Sequence, residues 1–172
     1  MAVYTIGHGT RPAAELVACL KEVRARTVVD VRRFPSSRRN PQFSQPALAQ
    51  ALDAAGIAYV HAVELGGRRS GEPDAERYAC IRTAGFRSYA ARMRTKEWQE
   101  ALAAALDHPV PCFVCAETLW WRCHRRLISD LLVARGYEVV HVIRPRERRG
   151  HRMSDEASVH DGRLYLCGML VA

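Results

Sequence analysis

The amino-acid sequence predicts a single α/β domain over residues 1–172: a mostly parallel sheet with helices on both faces and a ligand site at the carboxyl edge of the strands. Two patterns predict it. Short β-branched runs alternate with stretches whose apolar residues recur at helical spacing. The Gly, Arg, His and Cys clusters follow the strands, whereas turns leading into strands, such as AAGIAY and ARGYEV, are plain. In an open parallel sheet those clusters emerge together at the edge where such folds bind ligands.

Residues 3–6, VYTI, read as a strand that Gly7 ends. Thr10 can cap a helix running through Glu15 to Leu16, Leu20 and Val23, apolar at helical spacing. Residues 27–31, TVVDV, have the continuous apolar character of a buried parallel strand. After a polar loop, Ser44 can cap a helix over 45–55 that Gly56 stops. Residues 57–61 make a third strand, followed by a loop with Gly66, Gly67, Gly71 and Pro73. Helical pieces fill 74–107, with a break expected near Gly85. Residues 110–115 form the fourth strand, about 123–135 a helix ended by Gly136, and 139–143 the fifth strand. A basic loop and a short strand over 163–170 close the chain.

The net charge is +8, and of the 26 basic residues only Lys21 and Lys96 are lysines. Arginine's planar fork suits phosphate and carboxylate, so an anionic small molecule or a nucleic acid is the expected partner. No apolar run approaches the roughly 18–20 residues of a membrane span. The start, MAVYTIGHGT, does not read as a signal peptide, so a cytoplasmic location and six reduced cysteines are expected.

The segment CFVCAETLWWRCHRRLI, residues 112–128, holds three of the six cysteines. Cys112-x-x-Cys115 resembles half a zinc site, but the pair lies in a strand, where residues three apart face opposite ways. Cys112 is therefore core, and Cys115, Cys123 and His124 remain as an incomplete ligand set, so no metal and no cofactor is expected. Cys123, His124 and Arg125 should open the following helix, whose N-terminus favours anions and thiolates. Glu117 lies within reach of His124, either as its acid–base partner or as a cap for the helix. Arg126 is expected to pair with Asp130 one turn later on the surface.

These motifs together resemble the DUF488 family, a group defined only as a domain of unknown function. The resemblance rests on TIGHG, VDVRRFPSSRRNPQF, GIAYVHAVELGG and CAETLWWRCHR followed by VVHVI, in that order. Where the family pattern usually has Ser after Gly-His, Gly9-Thr10 stands here. The resemblance implies an α/β fold and marks His8, Arg32, Tyr59, Gly66, Gly67, Cys115, Glu117, Cys123, His124 and Arg125 as motif positions. It implies no reaction. A fainter likeness to cysteine phosphatases and rhodanese-like proteins fails on spacing, and on the bulky Leu119, Trp120 and Trp121 in the loop.

The reading that follows is an enzyme acting on a phosphate- or nucleotide-containing substrate. His8, Arg32, Arg38, Tyr59, Gly66, Gly67 and Arg125 are expected to hold the anion. Cys115 or Cys123 is expected as nucleophile, with Glu117 and His124 as acid–base partners. One alternative is a non-catalytic nucleic-acid-binding protein. It would use the Arg144–Arg152 run, with five arginines against Glu147, and the aromatic residues Phe34, Phe43, Tyr59, Trp120 and Trp121 on neighbouring loops. The other is a small zinc-stabilised interaction domain.

Overall fold

Five strands run parallel: β1 (Ala2–Gly7), β2 (Thr27–Asp30), β3 (Ala58–His61), β4 (Pro111–Cys115) and β5 (Glu138–Arg144). With β6 (Glu147–Gly150), antiparallel to β5, they form one six-stranded sheet in the order β3-β2-β4-β1-β5-β6. The computed structural model describes residues 2–36 and 38–172.

Two crossovers lead away from β1 in one direction, through α1 (Ala13–Glu22) and α2 (Gln45–Asp53). The others lead back the opposite way, through α3 (Ala84–Met93), α4 (Lys96–Leu106) and then α5 (Arg125–Ala134). Parallel crossovers are right-handed, so this reversal puts the two sets of helices on opposite faces. The core divides accordingly. Leu16, Leu20, Leu48 and Leu52 pack with Ile6, Val28, Cys112 and Val114 on one face. Tyr89, Trp98, Leu102 and Leu127 pack with Val3, Val29, Phe113 and Cys115 on the other. Strands β1, β2, β4 and β5 thus supply both clusters by alternation, and the all-apolar strand patterns expected from the sequence arise here. Cys112 and Cys115 do face opposite ways.

The element boundaries differ in instructive places. Helix α1 starts at Ala13 behind an extended Pro12 and not at a Thr10 cap. Ser44 flanks α2 but makes no side-chain cap. Gly85 lies inside α3, and the chain breaks instead at Thr95, whose hydroxyl accepts a hydrogen bond from the Trp98 amide. Gly56 and Gly136 do end helices in the left-handed region, at φ +70° and +82°. The basic run after β5 is not a loop. Residues Pro145 and Arg146 make a tight turn, with Arg146 at φ +65°, and the chain returns as β6. Glu147 accepts from both Arg144 and Arg149, and Glu22 pairs with Arg148, which engages three of the run's five arginines with two carboxylates. The tail forms a three-stranded antiparallel sheet of β7 (Ala157–His160), β8 (Arg163–Leu166) and β9 (Met169–Leu170), of which the sequence pattern marks only the latter part.

The expectation of six reduced cysteines is corrected. A disulfide joins Cys80, in the segment before α3, to Cys167, in the β8–β9 turn. The other four cysteines are free and buried. Arg126 is corrected too: it pairs with Glu156, because Asp130 is fully buried and accepts from His151 and the Ser154 amide. Among the described residues no helix is long and apolar enough to cross a membrane.

Candidate active site at the strand switch point

Strands β1 and β4 are neighbours whose following connections depart to opposite faces of the sheet, which opens a crevice between their carboxyl ends. A cleft of about 620 Å³ lies there, floored by His8, Cys115 and His124 and walled by Arg32, Arg33, Phe34, Gly67, Arg68 and Glu117. The loops after β1, β2, β3 and β4 therefore converge, as the sequence pattern predicts. The Arg144–Arg152 run does not line the cleft.

The floor is built on sulfur. Cys115 ends β4 and is 9% exposed into the cleft, while Cys123, just before α5, is more deeply buried. The Cys115 and Cys123 sulfurs lie within 4.8 Å of each other, and hydrogen bonding to Cys123, with burial, raises the Cys115 thiol well above its ordinary value. Burial alone would raise Cys123 as well. The Cys115 hydrogen bond and the proximity of His124 and Arg125 outweigh it and hold Cys123 well below its ordinary value.

Arg125 supplies an independent reason for the same charge state. Its side chain is 1% exposed, and none of the ion pairs among the described residues includes it. Its Nε–H donates to Cys123 Sγ at 3.4 Å, Nη2 donates to the Glu117 carbonyl and Nη1 to Thr5 Oγ1. A buried guanidinium without an anion is strongly destabilising, and the Cys123 sulfur that Arg125 touches, held well below its ordinary value, is the group placed to supply that anion. Arg125 is therefore beneath the cleft and does not line it.

Thr5 continues a buried chain of donors. Its hydroxyl donates to His141 Nδ1 at 2.7 Å, His141 Nε2–H to His151 Nδ1 at 2.9 Å, and His151 Nε2–H to Asp130 Oδ1 at 2.8 Å. Those directions are the single assignment that gives every group one role from Arg125 to Asp130. Burial, with His151 and Arg125 nearby, lowers His141 to about 2, so it stays neutral, and Trp120 stacks on it at 4.3 Å.

His124 is oriented by backbone. Its Nε2–H donates to the Val31 carbonyl at 3.0 Å, leaving Nδ1 to face Cys123 Sγ at 3.6 Å. Glu117 does not reach it. The Glu117 carboxylate accepts from the Leu119 amide at 3.0 Å and caps the loop, while still lining the cleft.

Arg32 and Asp30 form a buried fork: Nε donates to Oδ1 at 2.8 Å and Nη2 to Oδ2. Arg32 Nη1 also donates to the Phe43 carbonyl at 2.7 Å and to His8 Nε2 at 3.2 Å. His8 donates from Nδ1 to the Gly9 carbonyl and stacks on Phe43. Burial is the main cause that lowers His8 to about 4, with Arg32 acting the same way, so it is a neutral acceptor that holds Arg32. Tyr59 donates to Asp30 at 2.8 Å, and burial with Asp30 beside it pushes its hydroxyl up. Neither Tyr59 nor the exposed Arg38 lines the cleft.

The glycine pair permits two close approaches within the protein, and Gly67 lines the cleft. A Cβ at Gly66 would lie 2.7 Å from Arg33 Cα, and one at Gly67 2.5 Å from His124 Nδ1. These glycines let the protein's own backbone and imidazole approach, where the sequence suggested room for a ligand.

Sequence reasoning placed Arg33 in an Arg-rich, phosphate-binding loop without giving it a role of its own, and missed Arg68, Thr5, His141, His151 and Asp130. Arg33 and Arg68 are cleft cations with no ion pair among the described residues. Arg33 donates to the Arg68 carbonyl and lies 5.3 Å from the ring of Phe34, which is 59% exposed at the rim. The available signal for the buried chain is parity: in paired strands, polar Thr5 and His141 stand opposite each other on the Cys115 face. Of the aromatic residues expected to converge, Phe43 is buried under His8, Trp120 covers His141 and Trp121 borders a separate pocket with Arg122 and Phe86.

A family model described as "Domain of unknown function DUF488" matches residues 12–132, well over half of the chain. The chain belongs to the DUF488 family. No curated protein and no solved structure matches it. Within this DUF488 chain the match takes in Arg32, Cys115, Glu117, Cys123, His124 and Arg125, and stops before His141 and His151.

Proposed function

We propose that this DUF488 chain is an enzyme acting on an anionic, phosphate- or nucleotide-containing substrate held over the Cys115–Cys123 pair. The observation that carries this reading is the buried Arg125, whose Nε–H donates to the Cys123 sulfur, within 4.8 Å of the Cys115 thiol in the cleft floor. A structural cysteine needs no such cation, and thiolates are the reactive form.

Cys115 is the attacking sulfur because it faces the cleft. Its bond to the electrophilic atom forms as its proton passes to Cys123, and the leaving group departs with the electron pair. Glu117, the carboxylate on the cleft wall, accepts a proton from the water that then releases the product. Arg33 and Arg68 bind the anion at the rim, and Phe34 offers a face for a base to stack on. Non-catalytic nucleic-acid binding draws less support, since Arg144, Arg148 and Arg149 are engaged with Glu147 and Glu22.

The test is iodoacetamide labelling at neutral pH with peptide mapping. Cys115 or Cys123 should react at least tenfold faster than Cys19, adenosine monophosphate should slow that reaction, and Arg125→Met should remove the advantage. Equal rates at all four free cysteines would sink the proposal.

A further inference from the structure

We infer that Cys115 Sγ, Cys123 Sγ and His124 Nδ1 form a binding site for one thiophilic divalent cation, of which zinc is the type, with its fourth position open to the cleft. These three ligand atoms lie within 4.8 Å of one another. Tetrahedral zinc with bonds of about 2.3 Å to sulfur and about 2.0–2.1 Å to nitrogen spaces its ligands roughly 3.5–3.8 Å apart. Cys123 Sγ and His124 Nδ1 are already 3.6 Å apart. Cys112 is not a ligand, because it faces the other side of β4.

Three further features belong to metal sites. The Nε2–H of His124 is fixed on the Val31 carbonyl, the outer hydrogen bond that orients a ligating imidazole and presents its other nitrogen. Arg125 donates to Cys123 Sγ, which is how outer groups support a coordinated thiolate. Gly67 places no side chain against His124 Nδ1, where a Cβ would sit 2.5 Å away.

The charges also specify the fourth ligand. A divalent cation is neutralised by two thiolates, so the Arg125 guanidinium leaves the filled site with one positive charge. Cys115 and His124 both line the cleft, so the open position faces it, and hydroxide or an anionic substrate oxygen would complete the shell. With the ion bound, both sulfurs are ligands and no longer nucleophiles. In that one respect the inference rests on the thiol chemistry proposed above, and makes the cation a switch that turns it off.

The experiment is a titration of the full, chelator-stripped chain with Co²⁺. A sulfur-to-cobalt charge-transfer band should saturate at one equivalent and disappear when Zn²⁺ displaces the cobalt. Cys123→Ser and Cys115→Ser should weaken binding at least a hundredfold, while Cys112→Ala should leave it unchanged. Because a serine variant can misfold, the wild-type chain supplies a second readout. One equivalent of Zn²⁺ should slow alkylation of Cys115 and Cys123 at least tenfold and leave that of Cys19 alone. No charge-transfer band, an unchanged band in Cys123→Ser, or alkylation indifferent to Zn²⁺ would each overturn the site. Nucleotide binding to the metal-free chain is measured separately, so failure of the enzyme reading and failure of the metal site give different results.

Discussion

His8 is buried between Phe43 and Arg32 and is lowered to about 4, mainly by burial. The groups facing it are the Gly9 carbonyl and Asp30, which favour a proton, and Arg32 and Arg125, which oppose one. Its folded value lies below the ordinary 6.5, so between pH 6.5 and about 4 the unfolded chain binds the extra proton. Stability should therefore be fully present above pH 6.5 and be lost on acidification through that window, by on the order of 3 kcal/mol from His8. His141, lowered further by the same cause, adds to the slope. The check is the urea midpoint between pH 4.5 and 7. His8→Gln should be less stable at pH 7 yet show a flatter dependence, and a slope as steep as wild type would remove His8 as the origin. Residue parity along a strand made Cys112 and Cys115 separable in the sequence. The destination of Arg125 was not legible, because its partners come from β1 and the β4–α5 loop.

At the scale of elements, periodicity located α1, α2, α5 and the five parallel strands, and marked 74–107 as helical without separating α3 from α4. It failed where local chemistry competes with pattern. Thr95 stops a helix that Gly85 does not, and the Arg-rich run turns back to pair with β5, with Glu147 and Glu22 engaging three of its arginines. The Cys80–Cys167 bond was illegible for another reason: cysteine spacing carries no connectivity. That bond fastens the segment before α3 to the C-terminal sheet across 87 residues of sequence. In a chain-entropy account, closing so long a loop stabilises by at most roughly 4–5 kcal/mol. Protein purified without reductant should give a cross-linked Cys80–Cys167 peptide. Cys167→Ser should then lower the melting temperature by up to about 10–15 °C. Recovery of both residues as free thiols from oxidised protein would contradict the pairing.

At the scale of the whole molecule, the order β3-β2-β4-β1-β5 makes the crevice, because the chain reverses direction across the sheet between β1 and β4. That reversal was not in the sequence pattern, which implies parallel strands without their order. The convergence of loops was legible, but the division of labour within them was not. Arg32 is consumed by Asp30, His8 and Phe43, whereas Arg33 and Arg68 line the cleft with no ion pair among the described residues. With Glu117 the only carboxylate lining the cleft among the described residues, against Arg32, Arg33 and Arg68, the mouth carries net positive potential. A nucleoside monophosphate should therefore bind more weakly as salt rises, since rim charges are screened over about 10 Å at 0.1 M ionic strength. Arg68→Ser or Arg33→Ser should each raise the dissociation constant about three- to tenfold, in line with one exposed charge-assisted contact. Arg38→Ser, outside the cleft, should change it by less than about twofold. Calorimetric titrations of these three variants at two salt concentrations decide the matter. If Arg38→Ser is the variant that loses affinity and the rim variants are silent, the anion binds along the β2 loop surface and the cleft is not its site.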